Sequence, residues 1–135
     1  MQLSMAAELA VRGSAVLAAR HGNGPVSLKE ICRSRNLARD YLTKIFVSLS
    51  RAGIVRAVRG KGGGFVLARR PDQISVLEVI EAVEGPLALN LCQHDPPQCD
   101  EVDCPLRPVW QELQEVVRSK LSGVTLDLIA WEPSG

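Results

Sequence analysis

The chain has 135 residues, 46% of them apolar but only 4% aromatic, which is enough for one core packed mainly by aliphatic side chains. No apolar run approaches the roughly 18–20 residues of a membrane helix, and Glu8 and Arg12 interrupt the apolar start "MQLSMAAELAVRG". Neither a membrane partner nor a signal peptide is expected, which points to the cytoplasm.

The net charge of +1 conceals a division. Residues 1–70 carry thirteen Lys/Arg against three acids, and residues 71–135 carry three against twelve. A small fold with so basic a first half has the electrostatic footprint of a polyanion binder.

Apolar residues at helical spacing predict a first helix from Leu3 to Arg20, stopped by "HGNGP" at 21–25. Ser27 and Glu30 form a capping-box pattern that opens a short second helix, running through Cys32 to about Arg35. Cys32, beside Ile31, reads as a small core residue. A third helix is expected from Arg39 to Ala52, with Tyr41, Leu42, Ile45, Phe46 and Leu49 as its buried stripe and Gly53 as its stop.

Residues 54–68, "IVRAVRGKGGGFVLA", read as two strands joined by a glycine-rich tip. Three helices followed by a hairpin, in a basic segment, is the order of a winged helix-turn-helix. That fold sets its third helix in the major groove of double-stranded DNA. The tip does not match a nucleotide-binding loop, because no Lys-Ser or Lys-Thr follows its glycines. As a wing tip, it offers Arg59 and Lys61 to phosphates. Arg39, Tyr41 and Lys44 are the candidate contacts on the third helix, while Asp40 suits the helix start or a nearby Arg.

Ser75 and Glu78 form a second capping-box pattern, heading a helix with Val76, Val79, Ile80 and Val83 on one face and Gly85-Pro86 at its end. The next segment must be irregular at Pro96-Pro97. A long helix is expected from Pro105 to Ser122, with apolar Val109, Leu113, Val116, Val117 and Leu121; "TLDLIAW" adds a further turn or two. Its stripe needs a cover, either a second copy of the chain or the first helix. The expected architecture is mainly α with a small β-hairpin. Residues 1–85 form the winged helix, 86–104 a cysteine-rich loop, and 105–135 the dimerisation helix and tail.

Residues 41–85, "YLTKIFVSLSRAGIVRAVRGKGGGFVLARRPDQISVLEVIEAVEG", resemble the IscR/NsrR family of bacterial winged-helix regulators, and the three cysteines and "CPLRPVW" extend the likeness. The resemblance implies a homodimer with a DNA-binding winged helix at each end and a long dimerisation helix, and the reading that follows is a repressor of a palindromic operator. It also implies an iron–sulfur cluster in the loop before the long helix, which senses cluster supply, nitric oxide or redox state.

The loop "CQHDPPQCDEVDC" spaces its cysteines as C-x6-C-x4-C. Thiolates at Cys92, Cys99 and Cys104 suit an iron–sulfur cluster, either 2Fe–2S or 4Fe–4S. The alternatives are zinc held with His94, a metal-free thiol/disulfide switch, and inert thiols. The family's cluster-assembly regulator has its fourth ligand, a His, three residues after the last cysteine; that position is Arg107 here, which cannot ligate iron. Other members use a carboxylate from the partner's first helix, and Glu8 stands at the matching place. His94 is the local alternative, and an ion pair with Arg12 is the plainer role for Glu8. An enzyme or small iron–sulfur electron carrier fits poorly with so basic a first half.

Overall fold

The computed structural model describes residues 3–31 and 39–132. Ser4 starts the first helix, α1 (Met5–Ala19), by accepting a hydrogen bond from the Ala7 N–H at 3.0 Å. This helix is rich in small residues, and Ala7, Leu9, Ala10, Gly13, Ser14, Ala15, Val16 and Leu17 are all buried. A Cβ on Gly13 would lie 2.7 Å from the Phe46 ring, so glycine there lets the ring rest on the α1 backbone.

Helix α2 is described for Leu28–Ile31, and α3 for Arg39–Arg51. The expected continuation of α2 through Cys32, and the burial of Cys32, lie outside the described residues. The Ser27 hydroxyl accepts from the Glu30 N–H at 3.2 Å, as a cap should. The Glu30 carboxylate, however, accepts from Arg20 at 3.0 Å, because a cation across the turn outcompetes a neutral backbone donor.

On α3, Leu42, Ile45, Phe46 and Leu49 are buried as expected. Tyr41, expected in that stripe, is instead 37% exposed. The four buried residues already fill the inner face of the helix, and Tyr41 falls on its solvent side.

Strands β1 (Val55–Val58) and β2 (Gly64–Leu67) pair antiparallel, with Val55 opposite Leu67 and Val58 opposite Gly64. A third segment joins them: Val26 and Phe65 exchange both backbone hydrogen bonds at 2.9 Å. A Cβ on Gly64 would come within 2.3 Å of the Val26 carbonyl oxygen, so only glycine permits this approach. The Phe46 and Phe65 rings meet at 4.8 Å between centroids and tie the wing to α3.

Ser75 forms a complete capping box with Glu78 at the start of α4 (Val76–Glu84). After the cysteine loop comes α5 (Arg107–Ser122). Beyond it the chain returns to the core: Val76 donates to the Val124 carbonyl at 2.8 Å, Leu126 donates to Ile74 at 3.0 Å, and the Leu126 side chain is fully buried. The fold is thus mainly helical with one two-stranded hairpin. Among the described residues no helix is long and apolar enough to cross a membrane.

Candidate functional site

Two surfaces could carry function. The first is formed by α3 and the wing. Arg39, Tyr41, Thr43, Lys44, Val47 and Arg51 are exposed on α3, and Arg56, Arg59 and Lys61 are exposed on the hairpin. Among the described residues the ion pairs of the basic half lie elsewhere: Arg12 with Glu8, Arg20 with Glu30 and Glu132, Arg69 with Glu78, and Arg70 with Asp72. Among the described residues Arg39, Lys44, Arg51, Arg56, Arg59 and Lys61 have no acidic partner. Of the described cations of the basic half without an acidic partner, all but Lys29 on α2 therefore lie on α3 and the wing. Arg51 and Arg56 were missed by sequence reasoning; their signal was a cation flanking each end of the strand-leading "AGIV".

Asp40 lies in the first turn of α3, where its charge complements the helix dipole. Arg20 clamps the start of α2 to the C-terminal segment. Hydrogen bonds first to Glu132 and then to Glu30 raise its pKa and keep the guanidinium charged.

The second surface is the cysteine loop. Cys92, Cys99 and Cys104 are free, half-buried thiols that line one cavity of about 280 Å³, together with Asn90, Leu91, Leu106, Arg107 and Trp110. Cys92 Sγ lies 3.4 Å from Asn90 Oδ1 and accepts from the Gln93 amide at 3.2 Å. Asp103 turns the chain with φ 58° just before Cys104, a conformation that Asp tolerates better than most residues.

Arg107 Nη2 donates to the Glu101 carbonyl at 2.9 Å, while its Nε is buried without a hydrogen-bond partner. A buried donor left unpaired costs about 1–3 kcal/mol. Trp110 was also missed from sequence, although Cys104, Arg107 and Trp110 recur every three residues across the start of α5.

The three cysteines line one cavity, and neither His94 nor Glu8 is among its lining residues. His94 lines a separate cavity with Gln114, Glu115 and Arg118. Glu8 lies 3.9 Å from Arg12 and lines a concavity with Leu3, Ser4 and Met5. Among the described residues no three His, Cys, Asp or Glu side chains are grouped to hold a metal ion. In donor chemistry the cavity nevertheless fits an iron–sulfur cluster: three soft sulfur ligands share one wall with an unsatisfied cationic donor.

One face of α5 packs inward, with Leu121 against Ala7, Val76 and Ile80. A neighbouring stripe is bare: Val109 is 52%, Leu113 37% and Val116 61% exposed. Part of the apolar face of α5 is thus covered within the chain.

Three helices, a paired wing and an uncompensated basic face together define a winged-helix DNA-binding protein. The Rrf2 family, described as iron-dependent transcriptional regulators, matches residues 3–131. The chain belongs to this family and is a DNA-binding transcriptional regulator, not an enzyme.

Among relatives, it is 34% identical to the transcriptional regulator CymR of Bacillus subtilis over 115 residues, covering 84% of this chain and 78% of the relative. The solved structure of that protein, titled the global cysteine regulator, superposes with a TM-score of 0.83 at 30% identity, covering 96% of each chain. The regulator IscR of Aliivibrio salmonicida is 33% identical over 127 residues, 93% of this chain and 75% of the relative. The structure of T. potens IscR superposes with a TM-score of 0.78 at 30% identity, covering 96% of this chain and 85% of that one.

Proposed function

We propose that the chain acts in the cytoplasm as a homodimeric repressor of palindromic operators, and that an iron–sulfur cluster bound by Cys92, Cys99 and Cys104 sets its affinity for DNA. The observation that carries this reading is the convergence of three thiols on one cavity at the start of α5. The likeness to IscR regulators supports it. When bound, such a cluster supplies sensitivity to oxidants, nitric oxide or cluster supply.

The chain's own residues do the rest. The thiolates fix the loop against the first turn of α5, and a fourth ligand comes from the partner's Glu8 or from His94. Leu121 passes any movement of α5 to Ala7, Val76 and Ile80, in the layer on which α3 rests. Arg39, Tyr41 and Lys44 meet the major groove, and Arg59 and Lys61 meet the flanking phosphates. The bare stripe of α5 pairs with its copy, so two α3 helices meet two half-sites. Loading then changes DNA affinity by the difference in conformational energy between the two dimers.

Anaerobic purification followed by iron and sulfide counts tests cluster binding, and operator titration of loaded and cluster-free protein at one salt concentration tests the coupling. Equal affinities would sink the sensing role.

A second reading rests on the likeness to CymR: a cluster-free regulator that works through its thiols. Colourless, iron-free protein whose DNA affinity changes on oxidation and recovers with a dithiol favours that reading.

A further inference from the structure

We propose that Arg107 is the charge-compensating donor of the cysteine cavity, a positioning residue whose Nε–H holds anionic sulfur. Arg107 is the first residue of α5 and lines the wall shared by Cys92, Cys99 and Cys104. Its Nη2 is committed to the Glu101 carbonyl at 2.9 Å, which anchors the guanidinium across the stretch between Cys99 and Cys104.

Nε is different: it is buried and has no hydrogen-bond partner among the described residues. Buried N–H groups are nearly always paired in folded proteins; the side-chain acceptors on this wall are the three cysteine sulfurs and Asn90 Oδ1, and the latter already lies 3.4 Å from Cys92 Sγ. Thiolate or cluster sulfur accepts strongly and carries negative charge; a neutral thiol is a weak acceptor.

Charge points the same way. Among the described residues no carboxylate lines the cavity, Asp100, Glu101 and Asp103 are exposed, and Arg107 is the only basic side chain on its wall. Leu91, Leu106 and Trp110 make much of the remaining wall apolar, which lowers the local dielectric beside the charge. The positive end of the α5 dipole adds to it.

The identity of the sulfur as part of a cluster rests on the proposed function, but the charge on the wall does not. Reduced, cluster-free protein is therefore alkylated with iodoacetate and with its neutral analogue iodoacetamide, and the rate at each cysteine is read by peptide mass spectrometry. Because thiolate fraction cancels in the ratio of the two rates, the ratio reports the local charge. The ratio at the three loop cysteines is expected to fall at least about threefold in Arg107→Gln and to recover in Arg107→Lys. Arg107→Met, which keeps an unbranched apolar stem without the charge, serves if the Gln variant does not fold.

In the cluster-loaded protein, the equilibrium constant for one-electron reduction is expected to fall about tenfold in Arg107→Gln, a shift of about 59 mV to lower potential. Unchanged values in either measurement overturn the role of Arg107. If the wild type takes up no iron or sulfide, the cluster reading fails, and the alkylation ratio still decides Arg107.

Discussion

At Gly64 a single hydrogen atom in place of a methyl group lets the wing lie against the segment before α2. A Cβ would approach the Val26 carbonyl oxygen to 2.3 Å, and a backbone atom has no rotamer by which to yield. Gly64→Ala is expected to cost about 1–3 kcal/mol in denaturant unfolding, the range of overpacked sites, and to weaken DNA binding as the wing shifts. At the tip, Lys61 has no acidic partner among the described residues and is exposed. Lys61→Ala should leave stability unchanged and lower the slope of log affinity against log salt by about 0.9 for each phosphate that the lysine neutralises.

The glycine-rich tip was legible in "RGKGGGF" because turn residues between two apolar runs announce a hairpin. The reason for Gly64 was not. It depends on Val26, whose single bridging residue in "GPVS" leaves no alternation to read.

Among the elements, α5 has the least internal support. None of its residues is buried, and the stripe through Val109, Leu113 and Val116 faces solvent. Leu113→Asp is expected to convert a dimer to a monomer in analytical ultracentrifugation, with little change in the circular dichroism spectrum and a large loss of operator affinity. A folded Leu113→Asp variant that remains a dimer would remove α5 from the interface.

The boundaries and periodicity of this helix were readable, since its apolar residues recur at three and four. The cavity at its start was not, because Arg107 and Trp110 take part only once α5 folds against the loop. Capping shows the same limit. Ser75 and Glu78 form the full box that their spacing announces, whereas Glu30 is drawn to Arg20, a residue ten positions earlier. Tyr41 was placed inward by its neighbours' pattern but lies outside because four other residues suffice to fill that face.

Across the whole molecule, ion pairing sorts the basic residues into two groups. Arg20, Arg69 and Arg70 neutralise acids that come from the second half of the chain or its border. The cations of α3 and the wing have no acidic partner among the described residues, so the excess of basic residues becomes a directional field. DNA affinity is accordingly expected to fall by about 10³-fold or more between 50 and 200 mM salt if the dimer neutralises about six or more phosphates. A flat salt response would rule out this face as the DNA-reading surface.

The two tryptophans occupy separate places in this arrangement: Trp110 lines the cysteine cavity, and the Trp131 ring lies beneath Arg12 with its guanidinium carbon 5.7 Å from the ring centroid. The protein thereby carries its own optical reporter. In a Trp131→Phe variant, the remaining indole emission should be quenched when a metal centre fills the cavity and restored when a chelator empties it. Filling of the cavity is then followed by fluorescence in solution, without a label and at concentrations where operator binding is measured.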